Sequence, residues 1–451
     1  MQFNGKKVIV LGSGISGISV ALVLKNLGAY VTLSDNKPLN QLKKDPSFLL
    51  EKGIKLALGN QEAALLDGVD YVILSPGVSI YTDFVQQALA KNILVMSEVE
   101  VAYQLCPAPI VAITGTNGKT TTTTLIGEMI ACHNKEVVVG GNIGQALSDE
   151  VKDITDKGIV VAEISSFQME SARDFKPHIA AVLNITPDHI DRHKTFENYV
   201  AMKERVFAKQ TSDDFLVLNY DDPTLRPMAD RAKSQVLFFS RKETLQQGAY
   251  IKKDQIWISW KDQELPVCPV SVMKIPGAHN VENALAAAAV SFLAGVAITD
   301  IAKVLENFEG VEHRIEPVTT LHGVPYYNDS KATNPESSIK ALEAFAGHIV
   351  LIAGGRDKNT DLTEMMLLIK EKVDHLILLG EASARFKEAA LLHEIANIHE
   401  AKTFADAVNL AYKIATPPHI VLLSPACASY DMFKSYEERG TVFKKLVRLL
   451  S

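Results

Sequence analysis

Residues 113–125 read ITGTNGKTTTTTL, an apolar run, then a glycine turn with one lysine, then five consecutive threonines. A helix N-terminus presents unpaired backbone N–H groups and a partial positive charge, and glycines there let phosphate oxygens reach the main chain. Gly115, Gly118, Lys119 and Thr120 are therefore the candidate phosphate-binding set, with Lys119 as a point charge and the Thr120 hydroxyl available to Mg²⁺. The common P-loop pattern wants glycine at position 113, where this chain has Ile113. An ordinary strand-to-helix turn with a capping threonine is the competing reading. No guanine-reading NKxD occurs, so ATP is the expected nucleotide.

A second glycine run, GSGISG at 12–17, also follows an apolar run and opens a helical pattern, and Asp35 ends the next extended run. Gly12, Gly14 and Gly17 fit a dinucleotide fingerprint with Asp35 on a ribose hydroxyl, but the spacing specifies only phosphate near a helix start. A UDP group, a dinucleotide, or tight strand-helix packing without ligand all remain open. Glu163 closes the buried-looking run GIVVAE, where a carboxylate costs several kcal/mol unless paired or metal-bound. Asp188 and His189 follow another strand-like run, at the place where open parallel sheets gather ligands.

These residues need a scaffold, and the 451-residue length fits about three domains. Strand-like runs alternate with helical patterns, which predicts an α/β fold of mainly parallel sheets covered by helices. One series runs from KKVIVLG through YVTLSD and YVILSPG to NILVMS; a second holds PIVAITG, GIVVAEISS and HIAAVLNIT; a third holds HIVLIAGG, HLILLG and HIVLLSPA. CPAP at 106–109 marks one boundary and EGVEHRIEPV a second, while residues 248–272 read as a small antiparallel addition.

The net charge of -7 argues against a general nucleic-acid or anionic-membrane binder. Four widely spaced cysteines without CxxC pairing read as reduced, mostly core thiols. The first apolar run is too short for a signal-peptide core, and the longest apolar tract, from Ala284, is too short to span a membrane. A cytoplasmic protein without membrane insertion is expected.

In order along the chain stand ITGTNGKTT, GGNIG, EISSFQME, LNITPDHIDRH, YVAMKERVF, GAHNVENALAA, HRIE, NDSKATNP, GGRDKNTD and SPACASYDMFKSYEERG. Together they resemble the Mur ligase family over essentially the whole length, and the last of them favours its D-glutamate-adding branch. The resemblance implies a Rossmann-like UDP-binding domain at 1–107, a central P-loop ATPase-like domain at 108–313, and a C-terminal Rossmann-like amino-acid-binding domain at 314–451. It implies ATP-dependent addition of D-glutamate to UDP-N-acetylmuramoyl-L-alanine, in the cytoplasmic stage of peptidoglycan synthesis. The substrate carboxylate becomes an acyl phosphate, the amine attacks, and a tetrahedral intermediate expels phosphate.

Carried over by that resemblance, Thr116, Asn117 and Thr121 join the phosphate loop, and two Mg²⁺ ions are served by Thr120 and Glu163 and by His189 and Lys203. Lys203 would act as a carbamate, because an ammonium cannot ligate a metal; without the resemblance it reads as a solvated helix lysine. Asn280 and Asn283 would meet adenine, Arg314 a phosphate, Asp329 the ribose, and Lys331 would assist near the phosphates. Gly14, Ile15, Ser16, Gly17, Asp35, Asn36, Lys37 and Gly77 would hold UDP, with Asn142 and His189 on the rest of that substrate. Thr333, Lys358, Ser429 and Tyr436 would hold D-glutamate. Asn36-Lys37 stands where the family is familiar with Thr-Arg, and lysine lacks arginine's planar fork; Tyr436 stands in place of a phenylalanine. A monomer is expected.

The near rivals are sister ligases with another acceptor and folylpolyglutamate synthetases. A nicotinamide oxidoreductase built on GSGISG leaves the second loop unexplained, and a nucleotide switch without chemistry has no use for Glu163, His189 and Lys203.

Overall fold

The computed structural model describes residues 3–450 except 43, 44, 60, 135, 144 and 358, and of residue 191 the backbone alone. Its strands form three sheets. The first holds β1 (Lys7–Leu11), β2 (Tyr30–Asp35), β3 (Lys55–Leu58), β4 (Tyr71–Leu74) and β5 (Leu94–Ser97) in the order β3-β2-β1-β4-β5, all parallel. The strand order reverses between β1 and β4, so the loops leaving these two strands diverge and open a crevice. GSGISG leaves β1, Gly77 follows β4, and Asp35 ends β2, so the switch point collects the three.

The second sheet contains β6 (Ile110–Thr114), β7 (Val137–Gly141), β8 (Ile159–Glu163), β9 (Ile179–Val182), β10 (Phe215–Asn219), β11 (Gln235–Ser240), β12 (Gly248–Lys252), β13 (Gln255–Trp260) and β14 (Gln263–Pro269). Their order is β14-β13-β12-β11-β10-β9-β6-β8-β7, with only β12, β13 and β14 antiparallel to one another. The expected antiparallel addition is present as an extension of this sheet. β6 lies between β8 and β9, in a register that pairs Ile113 with Glu163 and Thr114 with Val182. All five β6 residues are buried, as its unbroken apolar run requires of a strand covered on both faces.

The third sheet joins β15 (Glu316–Leu321), β16 (Val324–Asn328), β17 (Ile349–Gly354), β18 (Val373–Leu379), β19 (Ile398–Glu400) and β20 (Ile420–Leu423) in the order β15-β16-β20-β17-β18-β19, antiparallel only at β15. Two compact bodies contain these sheets: residues 1–272 with 282–306 hold the first two, and residues 273–281 with 307–451 hold the third. Residues 273–281 and 307–313, assigned above to the central domain, thus pack with the C-terminal body, where Lys274 Nζ meets Glu309 at 3.6 Å and Ile275 is buried.

β15 is the extended run that begins in EGVEHRIEPV, whereas strands β3, β7, β10, β11, β16 and β19 were not named from the sequence; β19 is a three-residue IHE without an apolar run. The thiols depart from expectation as well. All four are free, but Cys132 is exposed and Cys106 half-buried, leaving Cys268 and Cys427 in the core. Among the described residues no helix is long and apolar enough to cross a membrane.

Gly17 has a packing reason independent of any ligand. A Cβ there would lie 1.8 Å from the Gly12 carbonyl oxygen and 2.6 Å from Ser75 Oγ, whereas one at Gly14 meets nothing within 4 Å. Gly17→Ala should therefore cost about 1–3 kcal/mol or more from overpacking, read as a lower urea midpoint, and Gly14→Ala far less; equal midpoints would remove the packing explanation.

Candidate functional site

The helix Lys119–His133 begins directly behind the phosphate loop, with Gly118 in the left-handed region at φ 82°. A Cβ on Gly118 would lie 2.2 Å from Asn283 Oδ1, so glycine is required here both by conformation and by space. The loop is tied down from several sides. Asn184 accepts from the Asn117 N–H at 2.8 Å and donates to its carbonyl at 3.1 Å. Thr116 Oγ1 lies 3.1 Å from Tyr199 Oη and accepts the Thr186 N–H at 3.1 Å. Thr122 donates to Asn283 at 3.3 Å, and Thr120 and Thr121 are buried in the first turn.

Two amines converge on one carbonyl. Lys119 Nζ donates to the Gly115 oxygen at 2.8 Å and to the Thr116 oxygen at 2.8 Å, while Lys203 Nζ donates to the same Gly115 oxygen at 2.7 Å. Lys203 is 2% exposed, which overturns the solvated-lysine reading. Burial, and then the Lys119 charge, hold its amine well below the ordinary lysine range despite Asp188 and Glu163 nearby.

Glu163, also 2% exposed, accepts Asn142 Nδ2 at 2.9 Å on Oε1, and its Oε2 is buried without a hydrogen-bond partner. Such an oxygen fits a cation. The Asn142 amide is thus directed at Glu163, an arrangement the sequence did not suggest. His189 is half-exposed, at φ 53°, with Nε2 3.4 Å from Asp188 and its ring centroid 4.7 Å from that of Phe167.

Four residues beside this group were missed. Tyr199 carries the Lys203 amine 4.6 Å above its ring. His193 is buried, its basicity lowered chiefly by burial, with Nε2 3.0 Å from Ser166 Oγ. Arg192 forks onto Glu170 at 2.8 and 2.7 Å and donates to the Pro76 and Val78 carbonyls at 2.8 and 3.0 Å, bracing the loop that contains Gly77. Asn184, Arg192 and His193 stand in LNITPDHIDRH and Tyr199 in YVAMKERVF, so proximity to those motifs was the available signal.

In the first sheet, Asp35 does not project freely toward a ribose. Its carboxylate accepts the Ser13 N–H at 2.9 Å, the Ser13 hydroxyl at 2.6 Å and the Lys37 N–H at 3.0 Å. Burial raises its pKa, but these bonds outweigh it and hold the group below the ordinary range. Asp35 therefore fixes the glycine loop. Gly14, Ile15, Asn36, Lys37 and Gly77 are exposed around it, Ser16 is half-buried and Gly17 buried.

In the C-terminal body, Arg439 is 1% exposed and donates to Ser330 Oγ at 3.0 Å, the Ser330 carbonyl at 2.8 Å and the Cys427 carbonyl at 3.0 Å. It joins the NDSKATNP loop to SPACASYD. Lys331 Nζ lies 5.5 Å from the Tyr436 ring centroid, Ser429 is buried and Thr333 half-buried. Lys358 lies outside the described residues. A cavity of about 160 Å³ is lined by Asn280, Arg314, Tyr327, Ile275 and Pro276 among others, and Arg314 Nε is buried there without a hydrogen-bond partner. Asn280 and Arg314 thus share a pocket, while Asn283 belongs to the other body.

Family comparisons match residues 6–97 to the Mur ligase MurD-like N-terminal domain, 113–291 to the Mur ligase middle domain and 313–427 to the Mur ligase glutamate ligase domain. The chain belongs to the Mur ligase family. Similar proteins include the UDP-N-acetylmuramoylalanine--D-glutamate ligases of Thermoanaerobacter sp. (strain X514), 47% identical over 99% of both chains, and of Desulfitobacterium hafniense (strain Y51), 45% identical over 99% of this chain and 98% of the relative. Among solved folds, the Thermotoga maritima UDP-N-acetylmuramate-alanine ligase aligns with TM-score 0.61 at 18% identity, covering 99% of this chain and 100% of that one. The Thermotoga maritima MurF ligase, solved with ADP, aligns with TM-score 0.61 at 16% identity over 93% and 96%. The three-domain α/β architecture is that of Mur ligases.

Asp329 provides a pH test. Burial pushes its carboxyl up from 3.8 to about 7, more than the Ser424 hydroxyl at 2.7 Å, Arg314 and the Ile315 N–H pull it down. Between those values the folded chain keeps a proton that the unfolded chain has released, so stability declines as pH rises through this window and levels off above about 7. Asp329→Asn should flatten that decline in urea midpoints collected from about pH 4 to 8; an unchanged slope would assign the decline to other groups.

Proposed function

We propose that this protein is the ATP-dependent ligase that joins D-glutamate to UDP-N-acetylmuramoyl-L-alanine. The observation that carries this reading is likeness to D-glutamate ligases along 99% of the chain, from the MurD-like first domain to the last. In this reading residues 1–107 hold the UDP group, 108–313 the ATP phosphates and 314–451 the amino acid.

A carboxylate is a poor electrophile, so its oxygen first attacks the γ-phosphorus as the bond to ADP breaks. The D-glutamate amine then adds to the acyl carbon, and the tetrahedral intermediate expels phosphate. The protein's contribution is positioning and charge. Gly115–Thr121 present backbone N–H groups and the Lys119 ammonium to the triphosphate, and Asn280 and Asn283 contact adenine. Arg314 offers a guanidinium to phosphate, Asp329 meets the ribose, and Lys331 sits near the transferring group. Thr333, Ser429, Tyr436 and Lys358 hold the D-glutamate carboxylates. Gly14–Gly17, Asp35–Lys37 and Gly77 seat UDP, and Asn142 and His189 the muramoyl-alanine end.

Mg²⁺, held by Thr120, Glu163, His189 and a carbamate on Lys203, would neutralise phosphate and carboxylate oxygens. The orphan Glu163 Oε2 supports this. So does the weakened basicity of Lys203: a neutral amine can add to the carbon of CO₂ and release one proton, replacing a cation with an anionic oxygen donor. Two ions and a monomer acting in the cytoplasm complete the reading.

The deciding assay measures phosphate release from ATP with UDP-N-acetylmuramoyl-L-alanine and D-glutamate, L-glutamate, L-lysine or L-alanine as acceptor. Turnover is expected with D-glutamate alone; preference for another acceptor moves the protein to a sister activity. Lys119→Ala should lower turnover at least a thousandfold, an order of magnitude expected for removing a transition-state charge. Lys203→Ala should also lose activity and regain part of it with added short carboxylic acids; activity that survives without them would exclude the carbamate.

A further inference from the structure

The ligase reading uses the C-terminal ends of the strands in the third sheet. The opposite ends carry a row of imidazoles that it leaves unused. Val350 pairs with His375 and with Val421, and Ile377 pairs with His399. His419 lies two residues before Val421 and His375 two before Ile377, so strand alternation puts His419, His375 and His399 on one face. The His348 ring, on a left-handed residue just before β17, joins the row with its centroid 6.4 Å from that of His419. A register shift opposite Ile349 and Val350 leaves Asp374 as the extra residue of β18 and re-aims its carboxylate toward the row.

The histidines fall into two kinds. Asp374 Oδ2 lies 2.9 Å from His348 Nδ1 and 3.3 Å from His419 Nε2. His419 Nδ1 accepts the Thr416 N–H at 3.1 Å, which leaves its Nε2 to donate to Asp374. These two are satisfied by the carboxylate. His375 Nδ1 and His399 Nε2 instead face each other at 3.3 Å. Two neutral imidazoles can share one proton at that separation, and a cation can take the proton's place. Bonds of about 2.0–2.1 Å at a tetrahedral centre put ligand nitrogens about 3.3–3.4 Å apart.

We propose that His375 and His399 form a two-histidine clip for a borderline divalent transition cation of the Zn²⁺ type, with water completing its coordination. The cation joins β18 to β19, the three-residue edge strand of its sheet. The one three-residue donor group among the described residues is already occupied. Lys444 Nζ reaches Glu312 at 2.5 Å and Glu316 at 2.9 Å, and Asn328 Nδ2 lies 2.9 Å from His313 Nδ1.

The test uses tag-free full-length protein in excess Mg²⁺, titrated with Zn²⁺ and followed by native mass spectrometry and thermal unfolding. Wild type should bind one more Zn²⁺ than His399→Ala or His375→Ala, and its unfolding midpoint should rise with Zn²⁺ more than theirs. His348→Ala should behave as wild type, and His399→Ala should keep full ligase turnover without Zn²⁺, which also reports its fold. Equal Zn²⁺ counts and shifts in wild type and His399→Ala, or loss in only one of the two clip variants, would overturn the proposal.

Discussion

Two lysine amines meet on the Gly115 carbonyl, and much of the central site depends on that convergence. Each hydrogen bond is favourable by itself, but two positive charges in a dry pocket repel each other and lose hydration. Lys203 is the more deeply buried, and burial first, then the Lys119 charge, hold its amine well below the ordinary lysine range. Lys119 lies in the first turn of its helix, beside the loop where phosphate is expected, so its charge is placed to be neutralised by a ligand. Glu163 is near enough to favour the charged form of Lys203 yet keeps one oxygen without a partner.

The surroundings hold this arrangement by satisfying buried polar groups with backbone. Glu100 is 0% exposed and accepts the consecutive N–H groups of Arg173, Asp174 and Phe175 at 2.8, 3.1 and 3.1 Å. Asp35 does the same for the first glycine loop, and Arg192 fixes the Gly77 loop through two carbonyls. In the C-terminal body, burial lowers the Arg439 pKa to about 10, and three acceptors hold its guanidinium between two motif loops. Side chains that look available for ligands in the sequence thus often hold the loops that meet ligands.

Parallel sheets also separate tasks by strand end. In the second sheet the C-terminal strand ends carry Gly115 and Glu163, and in the third they carry Asp329 and Ser429. The N-terminal ends of the third sheet gather histidines on a half-exposed edge, where a cation changes stability without entering the ligase site.

Alternating apolar runs and helical patterns determined the α/β class and three sheets, because strands buried on both faces must carry unbroken apolar runs, as IVAI, IVVA and IVLIAG do. Glycine spacing and Lys119 marked the phosphate loop, since helix starts and close backbone approach restrict residue type locally. Short strands such as IHE carried no such pattern, so pairing alone made them visible. Only the tertiary structure decided that Lys203 is buried beside Lys119, that Asn142 faces Glu163, and that residues 273–281 pack with the C-terminal body. Each of these depends on which distant segments exclude water from the same place, and no local periodicity encodes that.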